Sequence, residues 1–250
     1  TSCARPAVPH SSAANGNSTQ GLLRRQNEEQ HMEENYNTLI KQAVRAVLKP
    51  KGLLQKGSAR IWIDDNGWFF TVVEFQGSWC DRGSYLNIGM QHLWNDWEYL
   101  FPVCGTREAR EGTWVGYKGN PELFSQEITS LAETALERVL AYRTLADPET
   151  AKTIPLVSSV IAPFWPAWNQ FMTAVLAGDI PLCLELASKV RWALGRVPID
   201  GAEEMLTQIL SLLDEPQKIH AYIVDRITAQ RLYWRSKPGL KRLPVHPEYG

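Results

Sequence analysis

The sequence predicts an α+β protein: an antiparallel sheet of three to four strands flanked by helices, followed by an all-helical C-terminal part. Three observations carry this expectation. Residues 59–76 read as two alternating runs around Asp65-Asn66-Gly67, the pattern of a β-hairpin. Residues 36–48 and 121–142 place apolar side chains three and four apart, the spacing of a one-sided helix. From Pro166 onward apolar stripes recur only at helical spacing.

Residues 1–30 are rich in Ser, Ala, Asn, Pro and Gln and lack apolar periodicity, so they are expected to form a disordered tail. Tyr36, Leu39, Ile40, Ala43, Val44, Val47 and Leu48 share one face of the first helix, which Pro50 and Gly52 should end. Ala59, Ile61 and Ile63 alternate with Arg60, Trp62 and Asp64, and Trp68 to Gln76 returns as the partner strand. In that strand both faces are apolar for most of its length, which predicts a strand covered on both sides. Leu86, Ile88 and Met90 mark a third strand, and Trp114 to Tyr117 a fourth. Asn120 and Pro121 are an N-cap and a first-turn proline for a long helix through Phe124, Ile128, Leu131, Ala135 and Val139.

Pro148, Pro155 and Pro163 suggest a linker. Beyond it, four apolar stripes describe two helical hairpins, with Gly178 and Gly195 closing the first pair and an Asp200/Glu203 capping box opening the third helix. The expected organisation is therefore a tail over 1–30, an α+β domain over 31–147, a linker over 148–165, helical hairpins over 166–236 and a tail over 237–250.

At 250 residues, with 44% hydrophobic and 21% charged residues, the chain has the composition of a folded globular protein. A net charge of -1 supplies no electrostatic drive toward nucleic acid or an anionic membrane. No apolar run approaches the ~20 residues a membrane span needs, and residues 1–20 lack the apolar core of a signal peptide. A cytoplasmic location and no membrane partner are expected. The cysteines Cys3, Cys80, Cys104 and Cys183 show no C-x-x-C spacing and read as reduced, structural thiols.

The stretch Trp68-Phe69-Phe70-Thr71-Val72-Val73-Glu74-Phe75-Gln76-Gly77-Ser78-Trp79, followed by Ser84-Tyr85-Leu86-Asn87-Ile88-Gly89-Met90, resembles the domain of unknown function 4304 family over residues 35–145. Polar residues at fixed points in apolar strands carry the resemblance. The chain departs from the family at Gly52-Leu53-Leu54, where an aromatic usually follows the glycine. The resemblance implies a fold and transfers no catalytic residue.

Candidate chemistry is sparse. His92 and Asp96 would share a face of a helix and, with Glu98, Cys80 and Cys104 nearby, could suggest a metal site, but the surrounding Leu93, Trp94, Trp97 and Tyr99 read more simply as a packed aromatic turn. Asp64 and Asp65 before Asn66-Gly67 are ordinary turn chemistry. Glu74 and Gln76 lie on one strand face, where a buried carboxylate could serve as a general base. No nucleophile elbow, phosphate-binding loop or dinucleotide turn is present, so no cofactor is expected. Arg226, Arg231, Arg235, Lys237, Lys241 and Arg242 near Tyr233 and Trp234 could bind phosphates, unless Asp200, Glu203, Glu204, Asp214 and Glu215 neutralise them.

The ten tryptophans are the most informative feature. Trp62, Trp68, Trp79, Trp94, Trp97 and Trp114 all fall in the sheet region, more indole than one small core is expected to hide. The expectation is a non-enzymatic module that binds another protein through Trp62, Trp68, Trp79, Arg82, Trp94 and Trp97, of the kind that neutralises a bacterial toxin. The alternative is a hydrolase or nucleic-acid-processing enzyme using Glu74, Gln76 and His92. Oligomeric state is left open.

Overall fold

The computed structural model describes residues 36–78, 80–102, 104–107, 114–154 and 164–244. The expected tail over 1–30, residues 155–163 of the expected linker and Trp79 lie outside the described residues.

Helix α1 (36–48) buries Tyr36, Ile40, Ala43, Val44 and Leu48, and a 3-10 turn over Lys49–Lys51 ends it at Gly52. Gly52 adopts φ 91°, a left-handed conformation that favours glycine. Among the described residues six strands follow: β1 (Leu54–Gln55), β2 (Ile61–Asp65), β3 (Phe69–Gln76), β4 (Gly83–His92), β5 (Cys104–Arg107) and β6 (Trp114–Gly116). They form one antiparallel sheet in the order β1-β2-β3-β4-β5, with β6 also paired to β4. The α+β class is as expected, with two more strands than the upper expectation. β1 and β5 are too short to show alternation, and only their backbone pairing defines them.

Helix α2 (Pro121–Arg143) starts as the sequence indicates, with the Asn120 side chain accepting from the backbone N–H groups of Glu122 and Leu123. The C-terminal helices are α3 (Pro148–Ala151), α4 (Phe164–Leu176), α5 (Ile180–Leu194), α6 (Ala202–Ser211) and α7 (Pro216–Arg235). Among the described residues, no helix is long and apolar enough to cross a membrane.

The sheet register sorts side chains into two covered faces. Trp62, Val73, Phe75, Leu86 and Ile88 point one way and pack with α1 and α2. Ile63, Phe70 and Val72 point the other way and pack with the C-terminal helices. Each such side chain contributes roughly 1.5–3 kcal/mol when removed from water, so the sheet needs both layers. The two-sided apolarity of β3 is thus explained, and the helical part is the second cover of the sheet.

Adjacent carboxylates at the end of β2 tie down both layers. Asp64 accepts two hydrogen bonds from Arg143 at the end of α2, at 2.9 and 2.6 Å. Asp65, one residue on and pointing oppositely, accepts two from the fully buried Arg231 of α7. Alternation along a strand therefore assigns one anchor to each face.

At the hairpin turn Gly67 has positive φ (85°), and Asn66 donates to the Asp64 carbonyl and Thr71 Oγ1. Two local expectations are corrected. α6 begins at Gly201, φ 73°, with no side-chain cap, so Asp200 and Glu203 form no capping box. The start of the expected C-terminal tail packs into the core: Leu240 and Leu243 are buried, and the Pro244 carbonyl accepts from Arg231.

Candidate recognition crevice

The tryptophans proposed for a partner-binding sheet face are placed mostly inside. Trp62 is 2% exposed in the α1/α2 core, and Trp68 and Trp94 are each 1% exposed on the other side. Trp68 stacks on Trp94 at 5.2 Å and donates its N–H to the Ala146 carbonyl at 2.8 Å. These three are core residues, because two covering layers supply more interior than one. Trp114 is half-buried against Tyr85, with ring centroids 4.4 Å apart. Arg82 is half-buried before β4, and its carbonyl accepts from the Tyr117 N–H. Ten residues of β4, about 33 Å of strand, separate Arg82 from Trp94 and Trp97, so these residues do not converge.

The residues of the enzymatic alternative do not converge either. Asn87 Nδ2 donates to both Glu74 Oε2 and Gln76 Oε1 at 2.9 Å. His92 lies five residues further along β4, about 17 Å away by strand rise. It is buried beside Trp94, Trp68 and Phe69, and burial pushes its pKa down to about 3. Neither ring nitrogen has a hydrogen-bond partner among the described residues, so the imidazole is neutral. His92 closes a strand and therefore does not share a helix face with Asp96. Among the described residues no group of three or more His, Cys, Asp or Glu side chains is placed to hold a metal ion.

Two of the six basic residues of the C-terminal segment are paired by carboxylates of the sheet and of the loop after β4. Arg231 pairs with Asp65 and Arg226 with Asp96, while Trp234 is buried. The upstream acidic residues proposed for this task are not the partners of these two arginines.

The structure does build a site around Trp97. The loop after β4 is held by three side chains of α7 at helical spacing. Arg226 Nε donates to the Trp94 carbonyl at 2.9 Å, Gln230 Nε2 to the Trp97 carbonyl at 2.6 Å, and the Tyr233 hydroxyl to the Glu98 carbonyl at 3.0 Å. Residues i, i+4 and i+7 share a helix face, so one polar stripe holds three carbonyls in a row. From α4, Asn169 Oδ1 accepts from Trp94 Nε1 and Asn95 Nδ2, while Trp168 Nε1 donates to Asn95 Oδ1. Gln91 completes the hold, donating to the Tyr99 carbonyl and accepting from the Phe101 N–H. Every one of these side-chain bonds restricts a loop that has no regular pairing of its own.

Above this clamp lies a cavity of about 240 Å³ lined by Asn95, Asp96, Trp97, Phe164, Trp165, Trp168, Ile199, Asp200, Ala202, Met205 and Arg226. Trp97 and Trp165 are half-buried with ring centroids 4.8 Å apart. The Trp97 N–H is buried and has no partner among the described residues. Asp96 and Asp200 are exposed at the rim. Trp165 was missed because the prolines around it read as a linker. The signal was present: Phe164 extends the Trp168, Phe171, Met172 stripe back by one turn, and Pro166 is tolerated in the first turn of a helix.

Compared with models of known protein families, with curated proteins and with solved structures, the chain matches none.

Proposed function

We propose that this is a non-catalytic binding protein that recognises another protein at the crevice formed by the loop after β4 and helices α4, α6 and α7. The observation that carries this reading is the pair of half-buried indoles, Trp97 and Trp165, beside a loop held by side-chain hydrogen bonds from α4 and α7. Rigid aromatic anchors beside a polar rim are the usual composition of a protein-recognition patch. Within this reading an immunity-type role, in which the partner is a bacterial toxin, calls for one tight partner and not many. The residues of the enzymatic alternative are apart, since His92 is neutral and lies about 17 Å along β4 from Asn87, the partner of Glu74 and Gln76.

A photo-crosslinking residue at position 165, compared with the same residue at the exposed position 184 on the outer face of α5, tests the site. Adducts with one protein of the native host from position 165 alone are expected. Adducts from position 184 alone, or none from either, overturn the assignment.

A further inference from the structure

We infer that the crevice takes the guanidinium of an arginine side chain presented by the protein partner. This rests on the binding reading above and names the chemistry of what is bound.

Four features of the crevice point to a planar cation. Its volume of about 240 Å³ is smaller than the ~300 Å³ at which drug-sized ligand pockets begin, so it suits one side chain. Its walls include Trp97 and Trp165, and indole carries the most negative π-face of the aromatic side chains, the surface a guanidinium stacks on. Its lining ionisable groups are two carboxylates and one guanidinium, which leaves an excess negative charge.

The fourth feature is the distribution of that charge. Arg226 is already held by Asp96 Oδ2 and the Trp94 carbonyl, so Asp96 and Arg226 satisfy each other. Asp200 has no ion-pair or hydrogen-bond partner among the described residues, because α6 starts on Gly201 without using it as a cap, while Glu203 is held by Arg191. An unpartnered carboxylate at the mouth of an aromatic cavity complements a cation that a neutral apolar side chain could not supply. Lysine would satisfy the charge, but its ammonium lacks the flat face that fits beside indole rings.

The test uses the full chain labelled with nitrogen-15, read through its indole N–H signals. N-acetyl-arginine methylamide is titrated against N-acetyl-citrulline methylamide, which has nearly the same shape without the charge. The arginine probe should move the Trp165 and Trp168 signals with a millimolar dissociation constant, while the Trp62 signal stays still. Asp200→Asn should weaken that binding about fivefold, as should replacing the probe by its citrulline counterpart. Asp200 is exposed and caps nothing, so its substitution leaves the fold intact, and unchanged signals from buried Trp62 and Trp68 verify this. Equal response to both probes, an Asp200→Asn variant that binds as wild type, or no response at all overturns the inference. A partner crosslinked from position 165 with no arginine response rejects the cation and leaves the binding site standing. An arginine response with no crosslinked partner supports the cation site and rejects the protein-recognition reading.

Discussion

Replacing Asp65 by alanine is the sharpest perturbation of the fold. The Arg231 side chain is completely buried, and its guanidinium donates to both Asp65 oxygens, to the Gly67 carbonyl and to the Pro244 carbonyl. Asp65→Ala removes the anionic partner and leaves a cation facing two neutral carbonyls, so the cost is about 3–5 kcal/mol. The Asp64–Arg143 pair offers an internal comparison. Arg143 has a side chain 37% exposed, and water can replace its lost carboxylate, so Asp64→Ala should cost only about 1–2 kcal/mol. At the far end of the scale, breaking the exposed Lys189–Glu185 pair should cost less than about 0.5 kcal/mol. Urea denaturation at pH 7 measures all three. The double variant Asp65→Leu/Arg231→Met should recover most of the loss, because an apolar pair needs no desolvation of charge. A cost below about 1 kcal/mol for Asp65→Ala would refute the reasoning, as would a double variant no more stable than the single one.

Three further outcomes follow from the same structure. His92 has its folded pKa lowered to about 3 against an ordinary value of 6.5, so the unfolded chain binds the extra proton between those values. Stability should fall as pH drops below 6.5, by up to about 1.4 kcal/mol per pH unit from this residue, and His92→Phe should remove that part of the slope in pH-dependent unfolding. Asn169→Ala deprives the buried donors of Trp94 and Asn95 of their shared acceptor and should cost about 2–4 kcal/mol in thermal or urea unfolding. Gly239 has φ 82°, and an added Cβ would meet the Gly57 nitrogen and the Gln55 carbonyl oxygen, whereas at Gly52 it would meet nothing within 4 Å. Gly239→Ala should therefore destabilise well beyond the ~1–2 kcal/mol expected for Gly52→Ala, when both are compared in one unfolding series.

The elements that were legible in the sequence are those whose burial is periodic or continuous along the chain. α1 and α2 announce themselves because each repeats its buried positions at about 3.6 residues, and β3 because it is a nearly continuous apolar run after a turn. β1 and β5 have two and four residues, and their existence depends on where β2 and β4 lie. The tryptophans are hidden for a similar reason: a one-layer interior is too small for them, but β3 is covered on both faces. Once α4 and α7 close the second face, Trp68 and Trp94 have an interior to occupy. Turn chemistry likewise explains Asp65 accepting from the Gly67 N–H, but not the arginines that reach Asp64 and Asp65 from 79 and 166 residues away. Of the crevice, Trp97 was legible and its framework was not. Arg226, Gln230 and Tyr233 share a face of α7, yet no sequence pattern says that three backbone carbonyls of a distant loop lie opposite them.

Hydrogen exchange of the protein alone and with its captured partner examines the recognition claim directly. Binding at the crevice should slow exchange over residues 95–99 and 199–205, with the outer face of α5 and the sheet edge at β1 unchanged. Protection confined to α5 or to the β1 edge, with the loop after β4 exchanging as before, would contradict it.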